Sequence, residues 1–205
     1  MENPINKFNS ILAFAPDNDK LKYSEKEISV LPASLFQEIK SFAGKEATIK
    51  NFLSNADNFD VLHIASHSEI NNINPLQSKI KFSDGYLELF DFSGRRIRAG
   101  LVVLSLCESG MSAGTIENIP TSIDIVSFPE ALLSSGTKSV LSTLWLVEDY
   151  STAKIISRFY QNLSLQKRKN KIDISEALSI AMRDFISSQK EKRHPFYWAP
   201  FIISN

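Results

Sequence analysis

The chain has 205 residues, a hydrophobic fraction of 43%, and 23 Lys plus Arg against 23 Asp plus Glu. Balanced charge supplies no field to draw it onto nucleic acid or an anionic membrane, and no apolar run approaches the roughly 18 residues that a membrane span requires. One cysteine excludes an internal disulfide, and the start "MENPINKFNS" lacks the basic end and apolar core of a secretory signal; together they predict a free thiol in a reducing cytoplasm.

The length suits one sizeable domain spanning residues 1–205. In chain order, "FNSILAFA" (8–15) is short, apolar and predicted to be a buried strand. "SEKEISVLPASLFQEIK" (24–40) has helical spacing through Ile28, Leu31 and Leu35, with Pro32 as a kink or a division, and "KEATIKNFLSNA" (45–56) reads as a shorter amphipathic helix. "FDVLHIAS" (59–66) is the second buried strand. "KIKFSDGYLELFDF" (79–92) predicts a hairpin turning at Asp84-Gly85, then a short helix.

"LVVLSL" (101–106) is the third buried strand and "KSVLSTLW" (138–145) the fourth. Between them "SFPEALLSSG" (127–136) reads as a helix with Pro129 near its first turn and Gly136 as its C-cap. Residues 149–165 and 173–189 follow as long capped amphipathic helices joined by "QKRKNK" (166–171), a solvated charged loop. Strands alternating with helices predict an α/β fold with a mostly parallel sheet covered on both faces, whose chemistry sits beyond the carboxyl ends of its strands.

Cys107 falls where the third of these strands ends and a Ser/Gly-rich turn begins, and His67 holds the equivalent place one crossover earlier. Two neighbouring parallel strands would deliver a thiol and an imidazole to one edge. A free thiol titrates near pH 8.5, so an adjacent imidazole is the group needed to make it nucleophilic at neutral pH. Pattern alone leaves this reading beside the blander one, in which a small buried cysteine fills the core. His63, four residues before His67 and on the same strand face, reads as a packed, hydrogen-bonded core histidine, and His194 as support for the entry of a last strand. One cysteine and three unclustered histidines do not resemble a zinc set, and GxxxxGK[ST] is absent, so no metal or cofactor is predicted.

The segments "DVLHIASHS", "LVVLSLCESG", "SVLSTLWLVED" followed by Ser151 and Thr152, and "HPFYWAPFI" resemble, in order and spacing, the CHAT family of caspase-like cysteine peptidases, relatives of separases, gingipains and caspases. "ILAFA", "KEATIKNFL" and "KFSDGYLEL" extend the resemblance over nearly the whole chain. It implies a caspase-like three-layer sandwich, mostly parallel at its centre. It places the family's His-Gly pair on His67 and Ser68 and its Cys-Glu-Thr-Gly on Cys107, Glu108, Ser109 and Gly110, and so implies a Cys107/His67 dyad with the backbone N–H groups of Ser68 and Cys107 facing the oxyanion. Ser68 departs from the family's glycine, which matters if the position needs positive φ.

The acid of the family's Trp-x-Val-x-Asp falls on Asp149, 149 − 107 = 42 residues beyond the nucleophile, where separase-like relatives pair it with a basic P1 side chain. Taken alone, Asp149 suits the N-cap of the helix that follows. Trp145 is implied to line the substrate edge. The implied partners are a protein or peptide substrate and a regulatory TPR-like or sensor module, with no cofactor, nucleic acid or membrane. The alternative is an inactive CHAT-like interaction module, the reading that Ser68 favours.

Overall fold

The computed structural model describes residues 8–16, 23–71, 74–92, 94–106 and 122–205. Along the chain run β1 (Ser10–Pro16), α1 (Ser24–Ser29), β2 (Glu38–Gly44), α2 (Ile49–Asn55), β3 (Val61–Ser66), β4 (Ser68–Glu69), β5 (Lys79–Phe82) and β6 (Gly85–Glu88). They are followed by β7 (Leu101–Leu106), α3 (Ser122–Ser134), β8 (Val140–Thr143), α4 (Asp149–Arg168), α5 (Ile174–Ser188) and β9 (Phe201–Ser204).

Six strands form one sheet in the order β2-β1-β3-β7-β8-β9. All neighbours are parallel except β8 and β9. The central strands are buried on both faces, which is why they read as unbroken apolar runs rather than alternating ones. Ile11, Ala13, Val61, Val103 and Leu141 belong to a core shared with α1, α4 and α5. Leu12, Phe14, Leu62, Ile64 and Val102 turn the other way, to α2, α3 and a three-stranded sheet β4-β5-β6. The result is three layers. On the second face Phe14, Phe52 and Phe82 meet with ring centroids 5.5–5.8 Å apart. No helix among the described residues is long and apolar enough to cross a membrane.

Three sequence expectations need correction. The helix expected over 24–40 stops at Ser29, because Pro32 disfavours helical geometry at the residue before it. Glu38–Gly44 instead becomes the edge strand β2, in register from Ser10↔Glu38 to Pro16↔Gly44. Most of β2 is exposed, so it carries no buried alternation that would reveal it; Phe42 secures it by stacking on Phe14 at 5.2 Å. Helix α3 begins at Ser122, placing Pro129 inside it, and ends as expected: Gly136 has φ +105°, with Thr137 N–H donating to the Leu132 carbonyl and Gly136 N–H to that of Leu133.

The third correction concerns "QKRKNK", whose first three residues belong to α4. Lys167 is not solvated: its ammonium donates to the carbonyls of Phe8 (2.9 Å) and Leu35 (2.6 Å) and to Asn9 Oδ1 (3.1 Å), pinning α4 to the entrance of β1. Lys167→Met leaves those acceptors unanswered and is expected to lower stability by about 2 kcal/mol in urea unfolding, whereas Lys169→Met, at an exposed cap, changes it little.

Candidate active site

Strands β3 and β7 are parallel neighbours whose register ends at Ser66↔Leu106. His67 follows Ser66 and Cys107 follows Leu106, each by one residue. Strand β8 lies next to β7, and its own continuation carries Trp145 and Asp149. Three adjacent carboxyl ends thus lead into the predicted site residues. Cys107, with Glu108, Ser109 and Gly110, lies outside the described residues.

His67 is half-buried, and its carbonyl accepts the Lys81 N–H at 2.9 Å. That bond makes 67 and 81 a hydrogen-bonded pair of the β4–β5 ladder, so the next pair, Ser68↔Ile80, is non-hydrogen-bonded and its N–H groups point away from the partner strand. β4 is the edge of its sheet, and the Ser68 N–H therefore faces the open side. Among the described non-glycine residues only Asn170 has positive φ, so Ser68 sits in ordinary extended backbone where glycine is not required. The feature that favoured an inactive module on conformational grounds is removed.

The buried Ser68 side chain lines a cleft with Leu104, Leu106, Phe128, Ser142 and Thr143. Ser142 Oγ is buried there without a hydrogen-bond partner among the described residues. Glu69, which sequence reasoning missed, stands beside this cleft with Lys79 Nζ 2.9 Å from its carboxylate. A hydrogen bond from Tyr86, then one from Lys79, holds the Glu69 carboxyl below its usual range, so it is an anion near His67 at neutral pH. Lys79 and Lys81 both lie over the Tyr86 ring, at 4.4 and 4.5 Å. The signal available for this cluster was the alternation Lys79-Ile80-Lys81-Phe82, which puts both cations on one face of a strand.

β8 ends at Thr143, so Trp145 lies two residues beyond the strand rather than closing it. Its indole N–H donates to the Phe196 carbonyl at 3.0 Å, and Leu144 N–H donates to that of Pro200 at 2.9 Å. The "LWLVED" and "HPFYWAPFI" segments are therefore fastened to each other. Asp149 is the first residue of α4, and the cap position belongs to Glu148, which makes no side-chain capping bond. Asp149 Oδ2 instead accepts the Tyr23 N–H at 3.0 Å, just ahead of α1. Among the described residues no group of three or more His, Cys, Asp or Glu is placed to hold a metal ion.

A family model described as the CHAT domain matches residues 7–205. The chain belongs to the CHAT family. Its caspase-like fold is similar to the crystal structure of the Arg specific cysteine proteinase gingipain R (RGPB), with TM-score 0.62 at 10% identity over 97% of this chain and 46% of that one. It is similar also to a complex of Porphyromonas gingivalis RgpB pro- and mature domains, at TM-score 0.62, 10% identity, 97% of this chain and 47% of that one. The CHAT chain spans about half the length of these solved chains. No curated protein matches the sequence.

The CHAT motifs leave out one cluster beneath the edge. His63 is fully buried, its Nδ1 2.9 Å from the Tyr160 hydroxyl and its Nε2 2.8 Å from Glu27 Oε1. The second contact is close yet off the ring N–H axis, so it is not an aligned hydrogen bond. The Ser105 hydroxyl donates to Glu27 Oε2 at 3.2 Å. Burial, reinforced by the nearby Glu27 charge, raises the Tyr160 hydroxyl well above its ordinary range, so it stays protonated.

Proposed function

We propose that this CHAT domain is a cysteine endopeptidase in which Cys107 is the nucleophile and His67 its proton-transfer partner. The observation that carries the reading is the register Ser66↔Leu106, because it ends two adjacent parallel strands at the residues that immediately precede His67 and Cys107 in the sequence. Cys107 Sγ forms a bond to the scissile carbonyl carbon while its proton passes to His67. The N–H groups of Ser68 and Cys107 stabilise the oxyanion. Collapse breaks the C–N bond, the amine leaves with the proton from His67, and water then hydrolyses the thioester. The substrate pairs in extended form along the sheet edge, with Trp145 beside it. A TPR-like or other sensor partner controls the reaction.

The test is labelling. Iodoacetamide is expected to alkylate Cys107 with a midpoint well below pH 8.5, and an acyloxymethyl ketone bearing P1 Arg or Lys to modify that residue alone. An ordinary titration with no selective label, even when the regulator is supplied, overturns the reading.

Asp149 is assigned to a basic P1 side chain, consistent with its place beyond β8. Asp149→Ala is expected to lower kcat/KM for Arg and Lys substrates by about 30-fold while sparing apolar P1. Equal loss on both would mean that its bond to the Tyr23 N–H is its whole role. Ser68→Gly is expected to change kcat/KM by about fivefold at most, since the N–H donor is retained and only backbone freedom is added; a gain of a hundredfold would show that serine disables the site.

A further inference from the structure

We infer that Glu27 and His63 are positioning residues: their buried cluster, aligned by the hydrogen bonds to Ser105 and Tyr160, is a latch that fixes α1 across β3 and β7 and so sets the geometry of the strand ends that lead to His67 and Cys107. The consequence for the dyad rests on the peptidase reading; the latch itself does not.

One carboxylate spans both strands. Glu27 Oε1 meets His63 on β3 and Oε2 accepts from Ser105 on β7. His63 precedes His67 by four residues, and Ser105 precedes Cys107 by two. The latch thus lies about 13 Å below His67 along β3. Tyr160 closes the group from α4, bonding His63 Nδ1 and stacking on its ring at 5.6 Å and 23°. The same helix supplies Asp149, which holds the backbone just ahead of α1.

Helix α1 has six residues, too few to be stable alone, so its pose is set by what it touches. Ile28 and Leu31 give it apolar contact, which attracts without fixing direction. Taking a carboxylate and an imidazole fully out of water is costly, and well-packed apolar groups of similar volume would hold the helix at least as firmly. What the polar group adds is a defined pose, because the two oxygens of one carboxylate on α1 each meet a different strand.

The experiment uses the double variant Glu27→Met/His63→Leu, which removes both polar groups and keeps the volume. Melting temperature, deuterium uptake by residues 61–66 and 101–106, and the iodoacetamide rate at Cys107 are compared with the unaltered protein. The expected result is a melting temperature within a few degrees, amide exchange at least tenfold faster in those two strands, and Cys107 alkylation at least tenfold slower. Unchanged exchange overturns the latch, and faster exchange with unchanged alkylation overturns its positioning role. Should the double variant fail to fold, Glu27→Gln keeps the shape and the Ser105 contact and is expected to move both rates threefold or more; no movement again overturns the inference. An ordinary thiol at Cys107 in the unaltered protein sinks the peptidase reading, and the exchange comparison then judges the latch by itself.

Discussion

Cys107→Ala is expected to abolish peptide turnover, and His67→Ala to lower kcat/KM by about 10⁴-fold, with the melting temperature of each within a few degrees of the parent. The two losses are not additive, because nucleophile and base act as a unit and the second substitution finds nothing left to remove. Residual activity in His67→Ala should rise with pH towards the ordinary thiol range, since a thiolate then forms without help. The measurement is hydrolysis of a fluorogenic peptide with P1 Arg, normalised by active-site titration. Activity surviving in Cys107→Ala would assign the cleavage to a contaminant or to another nucleophile, and a His67→Ala loss of only a few-fold would move the base elsewhere, with Glu69, a carboxylate near His67, the group to examine.

The central sheet was legible because burial on both faces forces long apolar runs, and "LVVLSL" and "DVLHIAS" have no other stable use. The edge strand β2 was not legible, since its mostly exposed residues obey neither the alternation of a half-buried strand nor the run of a buried one. Helix ends governed by local chemistry were readable: Asp173 caps α5 by accepting the Glu176 N–H, and Gly136 ends α3 with positive φ. Lys167 was misread because its role depends on carbonyls more than 130 residues away, at Phe8 and Leu35, which no local window contains. The same distinction holds in the site. His67 and Cys107 stand out because strand ends in parallel sheets are where chemistry is placed, while Glu27 became visible only when α1, β3 and β7 were brought together.

Removing one member of the buried pair has the largest expected effect on stability. His63→Leu leaves the buried Glu27 carboxyl without its imidazole neighbour while the Ser105 contact stays, and breaking such a pair costs about 3–5 kcal/mol. At roughly 3 °C per kcal/mol for a chain of this size, the melting temperature falls by about 10 °C. Glu27→Met costs less, because the remaining imidazole keeps the Tyr160 hydroxyl as partner. The joint variant should recover most of both losses, since it leaves neither polar group buried without the other, and the double-mutant coupling should exceed about 2 kcal/mol. Additive single effects in urea unfolding would mean that the 2.8 Å contact carries no mutual energy and that each group is held by its other neighbours alone. Tyr160→Phe separates those neighbours: it keeps the stacked ring but deprives His63 Nδ1 of its partner, a loss of about 1–3 kcal/mol that should appear in the parent and vanish once residue 63 is leucine.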